Sequence, residues 1–230
     1  VATTALLLGY WALLALVPVP GGDAGDLTPD GNLGAWLDRM ILGTEHLWAQ
    51  SRTWDPEGIL STVPAVATVM LGVFTGRWLR SGKSGVTVTG GLLAAGVAAV
   101  ALGTLWGQFF PINKSLWTSS YAVFTGGMAL LLLGLFYWVM DVRGRKRWAT
   151  PFVVFGVNAI AAYFLSALFA RVIGMVEVGD GVSLKAWAYR ELFASWAGPL
   201  NGSLAFALAF VLLWLGLMWP LYRRRIYIKV

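Results

Sequence analysis

The chain has no cysteine and one histidine in 230 residues, and only 12% of its residues are charged. Without cysteine there are no disulfides, thiolate metal sites or cysteine nucleophiles, and nothing reports the redox state of its compartment. A single histidine leaves little scope for metal chemistry, and no metal site is expected. The shortage of charge sets the class: soluble domains carry roughly a quarter charged residues, whereas 58% of this chain is hydrophobic and its mean hydropathy is +0.70. A domain of this size cannot hide so much apolar surface in a core, so the surplus must face lipid. Cytosolic enzymes and nucleic-acid modules are thereby excluded, and no nucleic-acid partner is expected. Also missing are a phosphate-binding glycine loop, a His-Glu-x-x-His pair, paired intramembrane carboxylates and an arginine-rich voltage sensor, which disfavours ion transport. The opening Val-Ala-Thr-Thr has neither a basic n-region nor a cleavage pattern, so a missing N-terminal part is expected.

What is present is a series of apolar stretches, each near the roughly 20 residues needed to cross about 30 Å of hydrocarbon. Six can be marked, at about 1–18, 60–79, 87–110, 118–140, 150–174 and 200–222. Lipid offers no hydrogen-bond partners, and long Leu/Ala/Val runs suit helices better than barrel strands, so the expected fold is an all-α polytopic membrane helical bundle forming one transmembrane domain over 1–230. Eleven of the 17 basic residues lie in the connections after the second and fourth spans and in the tail (Arg223, Arg224, Arg225 and Lys229). Ten of the eleven acidic residues lie on the other side. The positive-inside rule then places the C-terminus in the cytoplasm, with a bacterial inner membrane as the expected location. One long outer loop, 19–59, contains the i, i+3, i+4 pattern Leu33, Trp36, Leu37, Met40 and Ile41, which predicts a short surface helix ending at Gly43. A second outer segment, 183–196, reads as an amphipathic helix with Leu184, Trp187, Ala188 and Leu192 on one face.

Polar residues in the spans and structured loops are the candidates for chemistry, because each has a cost that a purely structural span avoids. Glu45 and His46 form an outer carboxylate–imidazole pair, which reads either as a base or substrate contact or as an interfacial hydrogen-bonded histidine. Asp55, Pro56 and Glu57 suit a helix start, with Asp55 as cap and Pro56 at the first helical position; Glu57 is also free to contact a sugar hydroxyl or amine. The segment 109–121 carries Asn113, Lys114, Ser115, Thr118, Ser119, Ser120 and Tyr121, a density that suggests a polar cavity. Lys114 there can pair with an anion or snorkel, and the hydroxyls can back-bond to carbonyls. Asn158, inside the fifth span, should face protein or water, as an interhelical hydrogen bond or as a ligand contact.

Six collinear motifs carry a resemblance across nearly the whole chain. They are Leu37-Asp-Arg-Met-Ile-Leu-Gly-Thr-Glu-His-Leu-Trp48, Trp54-Asp-Pro-Glu-Gly-Ile-Leu-Ser61, Pro111-Ile-Asn-Lys-Ser-Leu-Trp-Thr-Ser-Ser-Tyr121, Asp141-Val-Arg-Gly144, Gly156-Val-Asn-Ala-Ile160 and Leu221-Tyr-Arg-Arg-Arg-Ile-Tyr-Ile-Lys229. Together they resemble the heparan-α-glucosaminide N-acetyltransferase family and its bacterial relatives. The resemblance implies a polytopic enzyme of about eleven spans that moves acetyl from cytoplasmic acetyl-CoA to the amino group of a glucosamine-type sugar on the far side. It implies too that this chain is the C-terminal part, with the family's catalytic histidine upstream; His46 matches a different histidine. The pocket-forming positions that carry over are His46, Asp55, Glu57, Asn113, Lys114, Trp117, Tyr121 and Asn158. Acetyl-CoA is the implied co-substrate. The implied partners are the bilayer, the missing N-terminal membrane part and the amino sugar, with self-association into a homodimer left open. Two other readings of the same residues stand beside the transferase: a permease for N-acetylglucosamine or a related sugar, and a non-catalytic membrane scaffold.

Overall fold

A computed structural model describes residues 1–179 and 181–228. Lys229, counted above in the basic tail and in the last motif, lies outside them. Among the described residues the regular structure is helical, apart from one isolated bridge between Glu177 and Ser183. The fold is an all-α polytopic membrane bundle, and the chain is an integral membrane protein. It divides into two compact units, Val1–Arg145 and the part from Lys146 onward.

The first unit holds α1 (Ala2–Leu16), α2 (Leu33–Leu42), α3 (Thr62–Leu79), α4 (Gly85–Trp106) and α5 (Ser119–Tyr137), the last extended by a wider turn through Val142. Each helix has a local cause. Ser84 accepts Thr87 N–H at 3.2 Å to start α4, and Thr118 accepts Tyr121 N–H at 3.4 Å to start α5. The α1 helix stops before Pro18, because a residue preceding proline leaves the helical region. With 15 residues, or about 22 Å, α1 is shorter than the first expected span. The core joins Leu7 of α1, Ala67 of α3 and Ala122 and Val123 of α5, with a second cluster of Tyr10, Leu14 and Phe110.

The closest helix pair is α4 and α5, and glycines make it so. A Cβ on Gly103 would sit 2.6 Å from Phe124 N, and one on Gly127 would sit 2.6 Å from Val100 N. Lipid tails are as apolar as leucine, so packing contact rather than hydrophobic expulsion holds such a pair.

The second unit holds α6 (Thr150–Gly156), α7 (Ala159–Met175), α8 (Leu184–Tyr189) and α9 (Ser195–Arg223), around a core of Val154, Ala162, Trp214 and Met218. The expected span 150–174 is two helices bent by 69° at Asn158. The expected surface helix 183–196 is helical from Leu184, but it folds back on α9. Gly198, at φ 75°, breaks the helix ahead of Pro199 and lets Tyr189 and Phe193 pack against Phe206, with ring centroids 6.3 and 5.5 Å apart. Trp187 and Leu192 remain exposed.

Among the described residues, four helical runs are long and apolar enough to cross a bilayer: α3, α4, extended α5, and Leu184–Arg223, which contains α9. A fifth follows if α6 and α7 form one span. The sequence reading had six because it took α1 and the broken α6–α7 stretch as continuous crossings. The glycine contacts give a first test. Gly103→Val should lower the thermal midpoint in detergent by an amount corresponding to about 1–3 kcal/mol, whereas Gly90→Val, where a Cβ meets nothing within 4 Å, should leave it nearly unchanged.

Candidate functional site

The polar residues of the first unit gather where α1 ends, α3 begins and the 107–118 connection passes. Asn32 starts α2 by accepting Ala35 N–H at 2.8 Å, while its Nδ2 donates to Thr28 O at 2.8 Å and Pro29 O at 3.0 Å. Two turns on, Asp38 is 2% exposed, and its Oδ1 accepts the Ile59 N–H at 2.9 Å. This explains the glycine of Asp55-Pro-Glu-Gly58: a Cβ at Gly58 would fall 2.0 Å from Asp38 Oδ2. Arg39 turns the other way, donating to Thr53 O at 2.6 Å and Asp30 O at 2.9 Å.

The face that α2 buries differs from the one its apolar pattern suggests. Ala35 and Asp38 are buried, whereas Met40 and Ile41 are exposed. In a helix beside lipid the large apolar side chains can turn outward, and the small and polar face packs on protein.

Asp55 is not a helix cap for the second span, because α3 begins at Thr62. Its carboxylate knits the loop instead, accepting Trp48 N–H at 3.0 Å and Glu57 N–H at 2.8 Å, and the Trp48 and Trp54 rings meet edge-on at 5.3 Å. Glu57 is exposed. So is His46, whose Nδ1 lies 2.8 Å from Leu42 O.

In the 109–121 segment, Asn113 Oδ1 accepts Ser115 N–H at 2.8 Å and Leu116 N–H at 3.2 Å, which makes a turn and leaves Lys114 exposed. The three hydroxyls after it do not line a polar cavity. Thr118 donates to Pro111 O at 2.8 Å, Ser119 to Leu7 O at 2.6 Å and Ser120 to Phe110 O at 2.6 Å, all with fully buried side chains, so they tie α5 to α1 and to the turn. Trp117 Nε1 donates to Thr68 Oγ1 at 3.1 Å and its ring packs on Tyr121 at 5.4 Å.

Three motif segments therefore meet at one place. Asp38 from the first, Asp55 and Ser61 from the second, and Ser115 from the third line a cavity of 20 Å³ together with Tyr10 and Asn32. That is room for one water-sized group. Tyr10 Oη donates to Leu116 O at its edge, and Ser61 Oγ donates to Gly58 O at 2.8 Å. Burial pushes the Asp38 carboxyl above the usual aspartate range. Nearby Asp55 pushes it further, while the Ile59 N–H and Arg39 pull it back. The sequence reading missed Tyr10, Asn32 and Asp38. The available signal was Asp38 itself, a carboxylate three residues from Ala35 on the small face of an apolar helix.

Asn158 belongs to the second unit, where it is 1% exposed. Its Nδ2 donates to Ile226 O at 3.0 Å and its Oδ1 accepts Ile228 N–H at 2.8 Å, so this amide pins the tail as a strand would. The first unit also contains an apolar groove of 1450 Å³ along α1, α3, α4 and α5, with Leu7, Leu71, Gly91 and Trp106 among its walls. With threonine hydroxyls as its main polar groups, it offers no base and no carboxylate for chemistry.

No family model matches the chain. In sequence it is similar to heparan-alpha-glucosaminide N-acetyltransferase of Homo sapiens, at 32% identity over a stretch covering 32% of this chain and 14% of that protein. It is similar to the Mus musculus protein of the same name at 32% identity, covering 34% and 15%. These matches support a distant relationship to an acetyltransferase of amino sugars. The matched stretch is under a sixth of each relative's length.

Two predictions follow from Asp38 and Asp55. The Asp38 carboxyl holds its proton more firmly in the fold than in an unfolded chain, so its contribution to stability is full below about pH 4, near the ordinary aspartate value, and is lost as pH rises through its raised value. Asp38→Asn should flatten that part of the stability–pH curve; a thermal-midpoint series from pH 3.5 to 8 in detergent reads it, and identical slopes for both proteins would show that Asp38 is not the group. Asp55→Ala should leave two backbone N–H groups without acceptors and cost about 1–2 kcal/mol, seen as faster proteolysis between Trp48 and Glu57.

Proposed function

We propose that this chain is part of a membrane-embedded acyltransferase that moves an acetyl group from acetyl-CoA to the amino group of a glucosamine-type sugar, acting together with a preceding membrane part. The observation that carries this reading is the convergence of three motif segments, 37–48, 54–61 and 111–121, on one acidic, water-sized cavity. A purely structural loop has no need to bring two carboxylates together at such a place.

Acyl transfer from a thioester to an amine needs proximity, a base and a donor for the developing oxyanion. In this reading the acidic end of the first unit receives the amino sugar and faces away from the cytoplasm. The basic connections around Arg77, Arg80 and Lys83, and around Arg143, Arg145 and Lys146, face the cytoplasm and the CoA donor. Glu57, Lys114 and His46 are exposed beside the residues that shape the loop and are available to the sugar. Asn113 shapes the turn that brings Ser115 to the cavity, Trp117 and Tyr121 pack on each other after it, and Asn158 anchors the tail of the second unit. The base is left to the upstream histidine that the resemblance implies.

The test is to purify the full-length protein that carries this chain and supply radiolabelled acetyl-CoA with glucosamine. Label should appear in the sugar, and Glu57→Gln should reduce turnover by about tenfold if its carboxylate contacts the acceptor. An intact fold that transfers no label overturns the reading; sugar flux into vesicles without acetylation would then identify a permease.

A further inference from the structure

The apolar groove of the first unit is wedged open by one side chain. Only the short connection 80–84 joins α3 to α4, yet Trp78 stands between the two helices. Its Nε1 donates to Val88 O at 3.0 Å, and its ring lies so close to α4 that a Cβ on Gly91 would fall 2.4 Å from Cζ2. Beyond this wedge the space is the groove of 1450 Å³, which runs from Trp78 and Leu79 to Trp106 and Phe109, with α1 and α5 as its other walls. Gly72 and Gly76 of α3 line it, and a Cβ on either would meet nothing within 4 Å. Protein interiors leave few voids larger than a water molecule, so an apolar space of this size among membrane helices has an occupant. The end at Trp78 is positively charged. Arg80 follows Gly76 by four residues, one turn further along the same face, and the Lys83 ammonium lies 4.0 Å from the centre of the Trp78 ring. Arg77 and Arg80 are exposed, and among the described residues neither pairs with another side chain. Between Glu57 and Arg145 the only carboxylate in the sequence is Asp141.

We infer that the groove is the binding site of an anionic diacyl phospholipid, whose acyl chains lie between α3 and α4 and whose phosphate is received by Arg80 and Lys83. An apolar trough that ends in unpaired cations matches an amphiphile with a negative head, and basic pockets between spans select such lipids. The guanidinium of Arg80 presents a fork of donors suited to phosphate oxygens. Trp78, at the level where a head group begins, carries Lys83 on its ring and sets the depth of the site. Glycine and alanine on the walls, Gly72, Gly76, Ala95 and Ala98, let an acyl chain approach the backbone closely. A zwitterionic lipid brings its own ammonium against these cations and gains less from them. The inference does not rest on the transferase reading. It assigns the phospholipid the role of completing the packing of α3, whose other side is held by Leu7 of α1 against Ala67.

The experiment strips the purified full-length protein of lipid in detergent and titrates it with dioleoylphosphatidylglycerol or dioleoylphosphatidylcholine, with bound lipid counted by native mass spectrometry. The two lipids share their acyl chains and differ in head-group charge. Each basic residue beside an anionic head group contributes about fivefold, so wild type should prefer phosphatidylglycerol by roughly tenfold or more. The double variant Arg80→Gln, Lys83→Gln should lose that preference. Gly76→Leu places a side chain where a Cβ meets nothing, so it should fold and weaken both lipids. Equal affinity for the two lipids, a preference that survives in the double variant, or unchanged binding in Gly76→Leu overturns the inference. A lowered thermal midpoint of lipid-free Gly76→Leu shows that another part of the full-length protein already fills the groove, and overturns it too. Loss of phosphatidylglycerol binding on adding inorganic phosphate, with no such loss in sodium chloride of the same ionic strength, assigns the cations to a soluble phosphate and has the same consequence. If the double variant does not fold, the wild-type comparison and Gly76→Leu still decide.

Discussion

The contact between the buried Asp38 carboxylate and the Ile59 N–H organises the polar end of the first unit. It fixes where α2 lies relative to the start of α3. It requires glycine at position 58, and it sets the path of the loop that Asp55 and Arg39 then tie down from either side. Buried polar side chains nearby end on backbone groups, Tyr10 on Leu116, Ser119 on Leu7, Ser120 on Phe110, Asn32 on Thr28 and Pro29, with the indole N–H of Trp106, packed on the Tyr10–Phe110 cluster, as an exception. This is the expected behaviour at the edge of a membrane, where an unpaired polar atom has no water to fall back on. Asp38 follows the same pattern through the oxygen that holds the Ile59 N–H.

The helices away from that end are held by a different kind of contact. Between α4 and α5, glycine backbone meets backbone, and dispersion over that close approach takes the place of the hydrophobic drive that lipid removes. The second unit solves a similar problem with breaks. Asn158 interrupts what composition alone reads as one span, and its amide donates to Ile226 O and accepts from Ile228 N–H in the extended tail. An amide in a bent helix is costly in hydrocarbon unless both of its ends are used, and here both are.

The class, the approximate positions of the long apolar helices and the short α2 helix were legible in the sequence, because apolar run length, the Gly43 stop and Pro18 all act locally. The broken span at Asn158 was not, because the partner that makes the break favourable lies 68 residues away. Reading Asp55-Pro-Glu as a helix start was reasonable by composition and incorrect in space, since the N–H groups Asp55 accepts belong to Trp48 and Glu57 of its own loop. The buried face of α2 was missed for a physical reason. Amphipathic patterns are read with water as the reference, whereas a helix beside lipid can turn its large apolar side chains outward and its small, polar face inward. Three of the motif segments meet at one cavity, yet Asp38, the more buried of the two carboxylates on its wall, was passed over in favour of more exposed residues.

Holding one backbone N–H does not require a charge. An asparagine at position 38 would accept the same hydrogen bond, fit beside Gly58 equally well and avoid the desolvation that pushes this carboxyl above its ordinary range. The nearby Asp55 charge pushes it higher still by repulsion, and the loop-knitting role of Asp55 is likewise open to a neutral acceptor. Two carboxylates sharing a space of one water's size are therefore unexplained by the architecture that surrounds them. Buried charge of this kind is a cost to the fold, and the Ile59 N–H and the nearby Arg39 offset it only in part.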